Sequence, residues 1–471
     1  MNWSDFPRWG KWMADWAASY HGNLRNLPVR SPAKPGDTLA ALPPAAPEAP
    51  EPMDQVLADF ERIVMPGMTH WQHPRFFAYF PSNASPASVL ADCLTAVTSA
   101  QCMLWQTSPA ATEMETRMME WLRQAVDLPG SFQGVIQDSA SSATLAAVLV
   151  MRERALGWTG NTRGLAGQKP VRVYCSREVH TSVDRAIWVA GIGSDNLVRI
   201  PTRGETRAMD PEALRDAIQR DRKAGMLPAG IVASTGGTST GGSDDIAAVC
   251  AVARDEGLFV HVDAAWAGSA MICPEFRALW NGVEMADSVV FNPHKWLGVQ
   301  FDCSAHFVKS PEDLTQTLAY RPEFLKTHGA DGVINYSEWS IPLGRRFRAL
   351  KLWFLLRAYG LEDLRGRIRN HVAWSNALCE SLRAEPDFRI ATEPVLALFT
   401  FRYQPEGAID RDGLNQRLVQ AINDDGRIYL TQTQLADGIA IRFSAGQFDA
   451  TEADVQVAGD VIREIARALP R

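Results

Sequence analysis

The chain has 471 residues, 46% of them apolar and 21% charged, with 47 basic against 54 acidic side chains and a formal net charge of −7. That balance suits a soluble globular protein and speaks against a nucleic-acid surface, because the charges are scattered and net acidic. The length exceeds one ordinary hydrophobic core, so two domains plus an extra segment are expected, and no apolar run reaches the ~20 residues of a membrane-spanning helix.

The seven cysteines (Cys93, Cys102, Cys175, Cys250, Cys273, Cys303, Cys379) form no CxxC or zinc pattern. An odd set of thiols, with no secretory layout in Met1-Asn2-Trp3-Ser4-Asp5, gives the expectation of a cytoplasmic protein without structural zinc. In chain order, a first helix is predicted over Phe6 to Tyr20. A proline-rich stretch from Leu27 to Met53 follows and reads as an extended arm, long enough to wrap over another surface such as a second subunit. From about Gly134 to Lys309 short apolar runs alternate with helical segments: Val171-Cys175, Ala229-Ser234, Leu258-Val262, Ser288-Phe291 and Ser304-Val308. Such alternation predicts a mainly parallel sheet covered on both faces. One helix in the series has Ser243 or Asp244 as its N-cap candidate and Gly257 just past its end. Between Pro311 and Ser337 the pattern breaks down into an expected long loop, and a strong helix then runs from Arg345 to Tyr359, closed by Gly360. The remainder has helices and alternating strands such as Ala397-Tyr403 and Ile439-Phe443, which read as a smaller α+β domain. The division expected is an N-terminal arm and dimerisation segment over 1–75, a large domain over 76–360 and a small one over 361–471.

Two residues fall where open α/β sheets place ligands, at the end of apolar runs: Asp263 in His261-Val262-Asp263-Ala264-Ala265 and Lys295 in Asn292-Pro293-His294-Lys295-Trp296. A buried lysine can lose its charge and condense with an aldehyde, and a buried aspartate needs a cation such as a protonated pyridine nitrogen. The pair therefore suits pyridoxal 5′-phosphate; the plainer alternative is an ion pair between neighbouring strands.

Six blocks then resemble one family, the PLP-dependent group II decarboxylases, in the branch of aromatic-L-amino-acid decarboxylases and aromatic aldehyde synthases. They are His70-Trp71-Gln72-His73-Pro74, Tyr79-Phe80-Pro81-Ser82, Ser139-Ala140-Ser141, the Asp263 and Lys295 blocks, and Ile341-Pro342-Leu343-Gly344-Arg345-Arg346-Phe347-Arg348. The resemblance implies an aspartate aminotransferase-like α/β fold (PLP fold type I) and pyridoxal 5′-phosphate held covalently on Lys295. It further implies Asp263 on the pyridine nitrogen, Ala265 against one ring face and His180 stacked on the other. Ser139, Ala140 and Ser141 match the phosphate cradle, with Thr238, Asn292 and His294 as further cofactor contacts. Trp71, Tyr79, Phe80 and Pro81 match an aromatic substrate wall, although core packing accounts for such residues equally well. Gly344 stands where the family varies between Gly and Ser and leaves room for a bicyclic ring. His70 and His73 lack carboxylate or cysteine companions at ligand spacing, so no metal is expected. Arg345, Arg346 and Arg348 suit either a carboxylate clamp or structural ion pairs, the second being commoner at a helix start.

The implied reaction is decarboxylation of an aromatic L-amino acid. Once CO2 leaves, an amine-forming enzyme must protonate Cα, and the family does so with a tyrosine in a Tyr-Leu-Lys context. This chain reads Arg321-Pro322-Glu323-Phe324-Leu325-Lys326. Phe324 has no proton to give, and loss of a general acid typically costs ~10²–10⁴ in that step. Oxygen attack at Cα then becomes the competing outcome, giving aldehyde, ammonia and peroxide, with Tyr320, Tyr336, His180 and Lys295 as other conceivable proton sources. An amine-forming decarboxylase is the alternative, and a transaminase or a non-catalytic scaffold is more remote, since Lys295 and Asp263 are both present. A homodimer with shared active sites completes what the resemblance implies.

Overall fold

Thirteen strands form among the described residues, 1–320 and 332–470 of this computed structural model. They are β1 (Gln133–Gln137), β2 (Val171–Ser176), β3 (Leu197–Ile200), β4 (Thr202–Arg203), β5 (Ala208–Met209), β6 (Leu227–Ser234), β7 (Phe259–Asp263), β8 (Ser288–Phe291), β9 (Ser304–Val308), β10 (Phe388–Val395), β11 (Leu398–Tyr403), β12 (Thr431–Leu435) and β13 (Gly438–Ser444). Seven of them build one sheet in the order β1-β9-β8-β7-β6-β2-β3. The pairs β2/β3, β2/β6, β6/β7 and β7/β8 are parallel, while β9 runs antiparallel to both of its neighbours. The mainly parallel α/β sheet read from the sequence is thus present, with one reversed strand. Every residue of β7 and β8 is buried, as expected of parallel strands covered on both faces. Their register aligns Ser234, Asp263 and Val290 side by side at one edge.

The chain divides into two compact units. One comprises Ser82–Ala373 with Thr392–Phe399; its core gathers Val135, Val173 and Val232 from the sheet with Val148 and Met151 of the helix Ala140–Ala155 and Ile187 of the helix Ser182–Val189. The other comprises Met1–Pro81, Trp374–Ala391 and Thr400–Arg471. Within it Val29, Phe76 and Ala78 pack with Tyr429, and Arg25 and Arg75 both pair with Asp454 at the start of the helix Glu452–Ala468. These contacts group the N-terminal segment with C-terminal residues, a different division from the three consecutive segments read from the sequence. β10 to β13 form a second sheet in the order β10-β11-β13-β12.

Three local readings are corrected. Pro311–Leu318 is a helix rather than the start of a loop, because Pro311 sits at its first position with Glu312 and Asp313 in the first turn. The helix expected over Arg345–Tyr359 starts later, at Arg348, and continues to Arg383, interrupted at Gly360 where φ is 67° and ψ 167°. The N-cap of the helix Ile246–Glu256 is Asp245, which accepts the Ala248 N–H; Asp244 is buried and accepts instead from the N–H groups of Met209 and Ser234. No helix among the described residues is long and apolar enough to cross a membrane.

Candidate active site

Asp263 ends β7 and is 8% exposed. Its Oδ1 accepts the Ala265 N–H at 3.0 Å, and among the described residues no cationic side chain forms an ion pair with it. The next strand, β8, leads directly into Asn292 and the short helix Pro293–Trp296, which carries Lys295. Backbone bonds fuse the two turns: the Asn292 N–H donates to Ala265 O at 2.9 Å and the Ala264 N–H to Val290 O. The indoles of Trp266 and Trp296, one beyond each turn, stack at 4.8 Å with 13° between their planes. Buried Asn83 clamps the lysine turn, its Nδ2 donating to Lys295 O at 2.6 Å and its N–H to His294 O at 3.1 Å.

Asn292 is 3% exposed and its Oδ1 accepts from Ser304 Oγ at 2.6 Å. His294 is buried, and its Nδ1 accepts the Cys303 N–H at 2.9 Å. Burial, and then the neighbouring Lys295 charge, pull its pKa down to about 3, so His294 is neutral. His180 lies between β2 and the helix Ser182–Val189 and is exposed. Burial of its surroundings lowers its pKa, the Asp263 carboxylate opposes that shift and Lys295 adds to it, so His180 feels both charges.

Ser139 is the N-cap of the helix Ala140–Ala155, its hydroxyl accepting the Ser142 N–H at 3.2 Å, while Ser141 is exposed on the first turn. This helix start packs on the Asp263 turn, where Ala140, Ala143 and Val290 enclose Ala265. The loop after β6 belongs to the same edge, since the Thr235 N–H donates to Asp263 O at 3.0 Å. Gly236 there has φ +72°, and a Cβ on it would lie 2.5 Å from the Ala267 Cβ, so only glycine fits. Thr238, half-buried, follows in that loop, and the Thr235 hydroxyl is buried without a partner among the described residues. Gly344 faces Gln101, whose Nε2 would stand 3.3 Å from an added Cβ and whose Oε1 accepts the Arg345 N–H at 2.7 Å. Arg345, Arg346 and Arg348 pair with Glu115, Asp92 and Asp302, the structural reading of that run. Phe324 lies outside the described residues.

In the unit that holds the N-terminus, Trp71 and Tyr79 stack at 5.9 Å and are both substantially exposed. Phe80 is buried under the Arg442 guanidinium, 4.5 Å from its ring, beside Pro81. Arg442 also donates to Tyr79 O, and burial pushes its pKa down to about 9. His70 bonds Tyr20 through Nδ1 at 2.9 Å, His73 accepts the Arg75 N–H, and no cluster of metal-ligating side chains exists among the described residues. Asn83, Ser182 and Arg442 escaped the reading of the sequence, and Asp244 was read as a helix cap. Asn83 alone had a signal, lying directly after the Tyr79-Phe80-Pro81-Ser82 block.

A buried carboxylate that forms no ion pair with a cationic side chain among the described residues, a capped helix start rich in hydroxyls and a lysine on the adjoining turn form the donor set that pyridoxal 5′-phosphate requires. Comparison with known proteins agrees. The model of the pyridoxal-dependent decarboxylase conserved domain matches residues 35–404. The aromatic-L-amino-acid decarboxylase of Rattus norvegicus is 40% identical over 481 residues, covering 99% of this chain and 98% of that protein. A phenylacetaldehyde synthase of Arabidopsis thaliana is 40% identical over 472 residues, covering 98% and 96%. The crystal structure of Oryza sativa TDC with PLP and tryptamine superimposes with a TM-score of 0.96 at 34% identity, over 99% of both chains.

Proposed function

Because the chain belongs to the pyridoxal-dependent decarboxylase family and is a PLP-dependent enzyme, we propose that it decarboxylates aromatic L-amino acids and, with oxygen as co-substrate, releases the aromatic acetaldehyde. The equation balances: one amino acid, one O2 and one water give one aldehyde, one CO2, one ammonia and one hydrogen peroxide. The observation that carries this reading is Phe324, which stands where the family's proton-donating tyrosine is expected.

The cofactor, when bound, supplies an electron sink for cleavage at Cα. The chain's residues do the rest. Lys295 would hold the aldehyde carbon, and Asn83 fixes the lysine's backbone. Asp263 would hold a proton at the ring nitrogen, His180 and Ala265 would flank the ring, Ser139, Ala140 and Ser141 would bind the phosphate, and Thr238, Asn292 and His294 would make further cofactor contacts. The space beside Gly344 would receive the aromatic side chain, and the sequence resemblance offers Trp71, Tyr79, Phe80 and Pro81 as aromatic substrate contacts. Tyr336 is no substitute acid, because it is buried, hydrogen-bonded to Thr116 Oγ1 at 2.9 Å and raised in pKa by that burial. Tyr320 is 78% exposed.

Incubation with phenylalanine, tyrosine, DOPA or tryptophan should yield aldehyde and peroxide in equal amounts. Stoichiometric amine without peroxide would instead establish the second reading, an amine-forming decarboxylase like the Rattus norvegicus relative. A homodimer with shared sites belongs to the proposal: the helix Phe6–Asn23 has no buried residue and presents Phe6 and Met13, and the helix Pro86–Thr98 exposes Val89, Leu90, Leu94 and Val97. A cytoplasmic setting fits the seven free cysteines.

A further inference from the structure

His180 is tied to the backbone two residues ahead of it. Ser182 is the first residue of its helix, and its main-chain N–H is one of the donors that a helix start leaves unpaired. That N–H donates to His180 Nδ1 at 3.1 Å, and Ser182 Oγ lies 2.9 Å from the same nitrogen. A ring nitrogen that accepts an N–H carries no hydrogen itself. The hydrogen of the neutral ring therefore resides on Nε2. Protonation would set a new Nδ1–H against the Ser182 N–H, leaving two donors face to face. The charged neighbours divide: Asp263 and Asp184 favour the imidazolium and Lys295 opposes it, while nearby Glu178 is paired with Arg207.

We propose that the Ser182 main-chain N–H is a positioning group that holds His180 as the neutral Nε2–H tautomer and so withholds an imidazolium that could protonate the substrate Cα. A neutral imidazole N–H is a far weaker acid than imidazolium, so at neutral pH His180 donates a hydrogen bond without releasing a proton. Phe324 lacks a hydroxyl and His180 lacks its second proton, and both omissions act on the same step. The inference rests on the oxidative reading for its consequence but not for its geometry.

The test uses holoenzyme labelled with ¹⁵N-histidine, with H180Q to assign the signal. At about pH 6.5, the ordinary histidine midpoint, His180 should show the neutral Nε2–H pattern. An Nδ1–H tautomer or an imidazolium there would overturn the proposal. In a second arm, replacing the Ser182 amide by an ester removes only the N–H. The His180 titration should then move upward and the amine share of product rise severalfold between about pH 8 and about pH 6. An unchanged titration would also overturn the proposal. S182A keeps the N–H and should keep the tautomer. If the wild type forms only amine, the oxidative reading fails while the tautomer signal still decides the role of Ser182.

Discussion

At the scale of single residues, the proposed chemistry rests on a few side chains whose roles can be tested one by one. Lys295→Ala should abolish the visible cofactor absorbance that borohydride removes, together with turnover, because no other lysine is offered by the same turn. An absorbance left intact would mean that another group holds the aldehyde. Phe324→Tyr restores a phenol and should shift product from aldehyde toward amine; a ratio that does not move would remove Phe324 from the product decision. Gly344→Ser presses on Gln101, whose Nε2 stands 3.3 Å from the added Cβ. We expect kcat/KM for tryptophan to fall by about tenfold relative to phenylalanine, the scale of a small steric change in an apolar pocket. Asp263 and Lys295 were legible in the sequence as candidates because each sits in a block with its own chemistry, while Phe324, outside the described residues, stays a reading of the sequence. Asn83 and Ser182 were not legible, since a buried amide on a carbonyl and a helix N–H on a histidine leave no compositional trace.

Elements give these residues their positions. β7 and β8 are parallel and in register, so the turns that follow them emerge side by side, and the helix Ala140–Ala155 closes over them through Ala140 and Ala143. Behind this edge, Arg345 and Glu115 form a buried pair at 2.6 Å, and Glu115 also accepts the Ile136 N–H of β1. Glu115→Ala would leave a buried guanidinium uncompensated, and a loss of about 3–5 kcal/mol in denaturant unfolding is expected. A loss under ~1 kcal/mol, the range of exposed pairs, would show the pair to be dispensable. One boundary that misled the sequence reading has a tertiary cause. Asp244 is capable of capping a helix, but in the fold its carboxylate serves Ser234 and Met209, and burial pushes its pKa up to about 6.

For the whole molecule, the buried histidines set a pH dependence. Burial lowers His73 to about 4, His294 and His306 to about 3, and His261 well below the ordinary value. Their folded values lie beneath the unfolded 6.5, so the unfolded chain binds more protons below that pH. Stability from these groups is whole above about pH 6.5 and drains away as pH falls toward about 3. Asp244 acts in the opposite sense, stabilising the fold below about pH 4 and losing that contribution as pH rises through about 6. The four histidines outnumber it, and calorimetry should find the melting temperature of the holoenzyme lower at about pH 5 than at about pH 7.5. A rise on acidification would contradict the neutral assignment. The sequence by itself determined the α/β class, the cofactor pair and the family, because strand-end motifs and their order are local properties of the chain. Only the tertiary structure decided which histidine nitrogen is bare, which carboxylates are consumed in holding strands and loops, and which arginines are tied up in ion pairs. Those outcomes depend on partners far away in the chain, and a donor or acceptor has no fixed role until the fold supplies its partner.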